Sequence, residues 1–240
     1  MVLQGAGQLE PAYRELEKAV QFNPNHPEYH RRYFSLGIAF KEQEIFNAAI
    51  TTLSRAIELS PRQPEYQYQI GLLYKDTGHY QEALSALKEA AALGLESDDL
   101  HFMLGQVYQQ VGEINMASQE LAKALAINPR HSYAHGELGR IYAEQGRIDD
   151  AIREFEFAVE LSPKQFFSHY DLGLLYRKKN QLALARKHLE KAVTLNPQYP
   201  YTCKELREVY ESLGLPDSLL ALSAGSICIP GPQIPPPVIE

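Results

Sequence analysis

Tryptophan is absent from the 240 residues, and cysteine (2) and methionine (3) are scarce. Two cysteines form neither a disulfide framework nor a four-thiolate zinc site. Basic residues are outnumbered, with 23 lysines and arginines against 30 aspartates and glutamates, a net charge of −7. Binding to phosphates runs on surplus positive charge, so nucleic acid is not the expected partner. No apolar run reaches the ~18–20 residues a membrane helix needs. The opening residues lack a basic stretch followed by an apolar run and do not read as a signal peptide. The glycines do not cluster into a phosphate loop or a dinucleotide fingerprint, and no serine sits in a nucleophile elbow. Neither Cys203 nor Cys228 has a histidine close in sequence. No enzyme activity, cofactor or metal is expected from these residues.

What the chain has instead is a period. Gly37, Gly71, Gly105, Gly139 and Gly173 are spaced 34 residues apart. One residue before each stands Leu36, Ile70, Leu104, Leu138 or Leu172, and three after stands Phe40, Tyr74, Tyr108, Tyr142 or Tyr176. Alanine recurs at +12 (Ala49, Ala83, Ala117, Ala151, Ala185) and at +19 (Ala56, Ala90, Ala124, Ala158, Ala192). Between them, at +16, stands Leu53, Leu87, Leu121, Phe155 or Leu189. Positions −1, 0 and +3 share one face of a helix, and +12, +16 and +19 share a face of a second. Each period therefore predicts two amphipathic helices, with small residues where the backbones approach closely.

The breaks agree. Gly78, Gly112, Gly146 and Asn180 at +7 accept the left-handed conformation at a helix end, while Glu44 departs from the pattern. Second helices stop at Ser60-Pro61, Asn128-Pro129, Ser162-Pro163 and Asn196-Pro197. The third junction lacks proline. Gly94 is expected to cap there, with Ser97 or Asp98 starting the next helix.

The period of 34, Leu-Gly-x-x-Tyr in the first helix, Ala-x-x-x-Leu-x-x-Ala in the second and then proline resemble the tetratricopeptide repeat family. The resemblance covers about residues 1–213. It implies an all-α fold, a right-handed α-solenoid of stacked antiparallel helix pairs. Full repeats are expected at 30–63, 64–97, 98–131, 132–165 and 166–199. Residues 1–29 read as a partial leading repeat holding only its second helix, with Gly7 at the inter-helix turn and Ala12, Leu16 and Ala19 as the stripe. Residues 200–214 read as a polar capping helix. Residues 215–240 read as an apolar, proline-rich, irregular tail. The family's bulky residue at −4, often tryptophan, is here Tyr33, Gln67, His101, His135 and His169. The histidines read as packing residues rather than metal ligands.

A stripe that must pack identically in every unit repeats, whereas a binding stripe is free to vary. The varying stripe lies at −6, −3, +1 and +4, and in proteins this chain resembles it faces the concave side, where extended peptides bind. The candidate groove residues are Phe34, Lys41, Tyr68, Lys75, Phe102, Tyr133, Arg140, Phe167, Tyr170 and Arg177. They suit a protein or extended peptide with apolar side chains and an acidic group for Arg140. The competing reading is that the aromatics fill gaps between repeats. The family's lysine–asparagine clamp for a C-terminal carboxylate is missing: Phe34, Ser35 and Ile38, then Tyr68, Gln69 and Leu72, stand in its place. An asparagine ladder at −2 is missing too, replaced by Ser35, Gln69, Met103, Glu137 and Asp171.

The resulting expectation is a non-catalytic scaffold that binds protein or peptide. Two alternatives accompany it: a regulatory segment of a larger, possibly enzymatic protein, and self-association through Leu9, Leu16 and Val20 exposed on the leading half-repeat. The compartment is not fixed by sequence; cysteines read as unpaired lean towards the cytoplasm.

Overall fold

A computed structural model of the chain describes residues 2–24 and 26–215. Twelve helices and no strand lie among them: α1 Val2–Phe22, α2 Tyr29–Glu42, α3 Phe46–Leu59, α4 Pro64–Asp76, α5 Tyr80–Ala92, α6 Asp98–Gln110, α7 Ile114–Ile127, α8 Ser132–Glu144, α9 Ile148–Leu161, α10 Phe166–Lys178, α11 Leu182–Leu195 and α12 Pro200–Leu213. Two compact units divide at α7, residues 1–120 and 121–240.

One hydrogen bond recurs where a first helix turns into its second. The backbone N–H at +8 donates to the carbonyl of the register aromatic at +3: Ile45 to Phe40, His79 to Tyr74, Glu113 to Tyr108, Arg147 to Tyr142 and Gln181 to Tyr176, all within 2.8–2.9 Å. The residue between must take a positive φ. Gly78, Gly112 and Gly146 supply it at 79°, 82° and 74°, and Asn180 does so at 57°. Glu44, which the sequence set apart, makes the same turn at φ 59°. Packing of the two helices it joins therefore overrides the residue's own reluctance. The third junction caps as expected: Gly94 has φ 95°, and the Ser97 hydroxyl accepts from Leu100 N at 3.1 Å.

In unit 1, α2 pairs with α3 and α4 with α5, and α3 packs on α4. Ala49, Leu53, Ala56, Ala83, Leu87 and Ala90 are fully buried there. The register glycines explain how the backbones come so close. A Cβ at Gly37 would stand 2.7 Å from Leu53 Cγ, and one at Gly71 2.8 Å from Leu87 Cγ. In unit 2, α8–α9, α10–α11 and α12 repeat the arrangement around Phe155, Leu172, Leu189 and Leu206. Burying each such side chain contributes roughly 1.5–3 kcal/mol.

Neighbouring repeats are stitched by polar bonds as well. The glutamate at +17 of a second helix accepts from a tyrosine of the next first helix: Glu17 from Tyr33 at 2.6 Å, Glu156 from Tyr176, and Glu190 from Tyr210 at 2.9 Å. Within repeats three and four the histidine at −4 meets a carboxylate at +15, His101 with Glu120 at 2.6 Å and His135 with Glu154 at 2.7 Å. In repeat five the same two positions hold His169 and His188, with Nδ1 atoms 3.1 Å apart. The histidines thus pack, as read, but in specific pairs.

Three expectations are corrected. Helix α1 runs unbroken through Gly7, so no inter-helix turn falls there. Leu16 and Val20 are buried and Leu9 is half-buried, because Tyr29 and Tyr33 of α2 cover Leu16 and Val20 and α2–α3 residues pack on Leu9. The self-association premise of an exposed Leu9-Leu16-Val20 face therefore fails. Cys203, read as unpaired, is disulfide-bonded, which removes the thiol argument for a reducing compartment. Cys228 and the proline-rich tail beyond Leu215 lie outside the described residues. Among those described, no helix is long and apolar enough to cross a membrane.

Candidate functional site

Five of the ten candidate groove residues come together on the first-helix face of unit 2. Arg140, Tyr170 and Arg177 line a cavity of about 440 Å³ between α8, α10 and α12, with Leu174 and Ala143 on its walls. Tyr133, Arg140 and Phe167 line an adjoining cavity of about 330 Å³ between α8 and α10. Arg140, Asp171 and Phe155 belong to both.

Aromatic rings dominate one end. Phe166 lies 5.0 Å from Phe167 and 5.0 Å from Tyr199, edge to face in both cases. Tyr170 meets Tyr199 at 5.4 Å, and Tyr199 meets Tyr201 at 5.5 Å. Tyr170 is buried in this cluster, and burial pushes its hydroxyl pKa well up. Phe167 and Tyr133 instead hold their rings in solvent, 56% and 63% exposed. With Phe155 and Phe166 lining the same cavity, the two rings make an exposed apolar surface beside the cleft.

The other end is ionic. Position −2 is acidic in three successive first helices, Glu137, Asp171 and Glu205. Arg140 pairs with Glu137 at 3.0 Å. Arg177 pairs with Glu205 at 2.7 Å and also with Glu208. Asp171 is buried, and desolvation lifts its carboxyl to about 7; Arg140 works against the rise and Glu137 adds to it. Glu205 is likewise raised, first by burial. The two guanidiniums are therefore engaged rather than free at the lip, so a ligand carboxylate has to take Arg140 over from Glu137. Gly136 leaves modest room beside it: a Cβ there would meet Ser168 Oγ at 3.4 Å, ordinary contact.

The candidates in unit 1 are placed differently. Phe34 stacks on Tyr66 with centroids 4.4 Å apart and fills the gap between α2 and α4. Phe102 is buried. Tyr68 is half-buried, its hydroxyl pushed up to about 12, chiefly by burial. Lys41 is half-buried, and Lys75 lies 3.5 Å from Asp76. Gap filling thus accounts for Phe34. Sequence reasoning missed Asp171 and Glu205 as cavity residues; three acids in one phase at −2 were the available signal.

The chain matches family descriptions of one kind. Tetratricopeptide repeat patterns match residues 102–166 and 137–200, and again residues 64–93, and a TPR repeat pattern matches residues 37–78. No curated protein sequence matches significantly. Among solved structures, YrrB, described as a TPR protein with an unusual peptide-binding site, is 24% identical with a TM-score of 0.65, over 78% of this chain and 95% of that one. MamA is 26% identical with a TM-score of 0.62, over 66% of this chain and 93% of its own. PilF of Pseudomonas aeruginosa is 16% identical with a TM-score of 0.71, over 81% and 89%.

Proposed function

Because the chain belongs to the tetratricopeptide repeat family, whose members serve as protein-interaction scaffolds, we propose that it binds an extended peptide segment along the first-helix face of unit 2. The observation that carries this reading is the pair of solvent-held rings, Tyr133 and Phe167, beside two adjoining cavities. Apolar side chains of the ligand pack against those rings and the cluster beneath them, which makes them the main determinant. Polar groups of the ligand exchange with the Arg140–Glu137 pair, and an acidic side chain is favoured there only to the extent that it displaces Glu137. The unusual peptide-binding site of YrrB, a protein of the same fold, is consistent with this use of the architecture.

Selection from a displayed random-peptide library against the purified chain tests the reading. Enriched peptides should carry aromatic or large aliphatic residues, and Phe167→Ala with Tyr133→Ala should weaken them at least tenfold. Arg140→Ala should weaken them less. Enriched peptides whose binding ignores Phe167→Ala and Tyr133→Ala would refute the assignment, as would a library that yields none.

A further inference from the structure

Of the three acids at position −2 in unit 2, two have a guanidinium. Glu137 meets Arg140, three residues on along α8, at 3.0 Å. Glu205 of α12 meets Arg177, which reaches across from α10, at 2.7 Å. Asp171 is left out of both pairs. Three residues on from it stands Leu174 rather than an arginine. Among the described residues its carboxyl has neither a hydrogen bond nor an ion pair. Yet it is only 8% exposed, and it lines both cavities. Buried ionisable groups in folded proteins are as a rule bonded or paired. A buried carboxyl that faces a cavity with no partner points to a group that a ligand brings.

The surroundings select a cation. Glu137, Asp171, Glu205 and Glu208 stand around two guanidiniums, and each guanidinium is already held, Arg140 by Glu137 and Arg177 by Glu205 and Glu208. Lys164 and Lys178 stand at the rims and are exposed. Tyr199, next to α12, stays a neutral phenol, because burial first and then the charge of Asp171 raise its pKa. An acid entering here has to displace Glu137 or Glu205 from its arginine and then lies beside Asp171. A base meets a carboxyl with both oxygens unbonded. The apolar walls Ala143, Ile148 and Leu174 suit the methylene stem of a long basic side chain.

We propose that the peptide bound on this face seats one lysine or arginine side chain in the cavity between α8, α10 and α12, with its stem along Ala143, Ile148 and Leu174 and its cation on Asp171. The assignment rests on the first-helix face of unit 2 being the peptide site. It carries a pH dependence. Burial holds Asp171 at about 7, with Glu137 adding to the rise and Arg140 opposing it. The ionised form binds the cation, so affinity is complete above that value and is lost as pH falls through it.

Selection of a displayed random-peptide library at pH 8 against the full chain tests the assignment. Enriched peptides should share one lysine or arginine at a fixed spacing from their aromatic or large aliphatic residues. In fluorescence anisotropy with the most enriched peptide, norleucine in place of that residue should weaken binding at least tenfold, an outcome that needs no change to the chain. Affinity of the parent peptide should fall about tenfold from pH 8 to pH 6. Asp171→Asn should weaken binding at pH 8 and abolish the pH dependence, with helical circular dichroism unchanged. Peptides that depend on Phe167 and Tyr133 but share no basic residue, or that bind equally well with norleucine, overturn this assignment and leave the peptide site standing. A library that yields none, or peptides indifferent to Phe167→Ala and Tyr133→Ala, overturns both.

Discussion

Lowering the pH should loosen α10 from α11 before it touches the repeat ahead of it, and one substitution should cancel the effect. His169 and His188 are both buried, with Nδ1 atoms 3.1 Å apart. His169 Nε2 lies 3.1 Å from the Pro163 carbonyl, so that nitrogen donates. The neutral ring then accepts at Nδ1, and His188 donates from its own Nδ1. The pair is held by two neutral rings in one tautomeric arrangement. Tyr176 stacks on His188 with ring centroids 5.6 Å apart. Burial first, then His169 and Lys187, lower His188 from 6.5 to about 4. The native state thus takes up this proton less readily than the unfolded chain. The stability involved is complete above pH 6.5 and is lost as pH falls through the folded value near 4. Integrated over that window, one such residue removes about 2 kcal/mol by pH 5 and about 3 kcal/mol by pH 4. Repeat four behaves otherwise: burial opposes protonation of His135, but the bonds to Glu154 and the Pro129 carbonyl, with the charge of Glu154, leave its pKa raised. His188→Glu places a carboxylate where Glu154 stands and should reverse the sign at His169. Hydrogen exchange of α10 and α11 amides at pH 7 and pH 5 reads this locally. The opening free energy of the parent should fall by about 2 kcal/mol, and that of the variant should hold or rise. Equal pH responses in the two proteins would refute the reasoning, as would α8 and α9 loosening in parallel.

Two glycines of unit 2 should respond to alanine in opposite directions. At Gly173 the added Cβ stands 2.5 Å from Cγ of the fully buried Leu189, and overpacking of about 1–3 kcal/mol outweighs the gain of about 1 kcal/mol in helix propensity. At Gly136 the nearest atom is Ser168 Oγ at 3.4 Å, so the propensity gain survives; calorimetric Tm should fall for Gly173→Ala and rise slightly for Gly136→Ala. Ser97→Ala removes the side-chain cap from Leu100 N and should cost about 1 kcal/mol in a urea titration; an unchanged midpoint would show that the preceding Gly94 turn alone sets the start of α6.

Helix starts and stops were legible residue by residue because backbone chemistry near each break decides them. Gly94 and Ser97 replaced proline at the third junction, and both act as their conformational preferences require. Glu44 shows the limit: its turn is imposed by the helices on either side, which no local propensity reports. The candidate site was half legible. Tyr133, Arg140, Phe167, Tyr170 and Arg177 do gather, since helical phase puts them on one face of neighbouring repeats. The pairing of Arg177 with Glu205 was not read, because it depends on which way long side chains lean across an inter-helix gap, whereas Arg140 meets Glu137 one turn away on its own helix. The burial of Leu16 and Val20 was misread for a similar reason: α2 covers one flank of α1 even though the seam flank is open.

The tyrosine–glutamate stitches of unit 2 have a consequence for how such a chain changes length over generations. Glu156 and Glu190 stand one period apart, as do their donors Tyr176 and Tyr210, and so do Asp171 and Glu205 beside the arginines. Excising residues 166–199 in frame therefore presents Tyr210 to Glu156 and Glu205 to Arg140, and duplicating them restores the same pairs at each new joint. Recombination between repeats meets a joint that is already complementary, so whole-repeat gain and loss are the tolerated steps, while any shift that is not a multiple of 34 leaves the buried tyrosines without those glutamate acceptors.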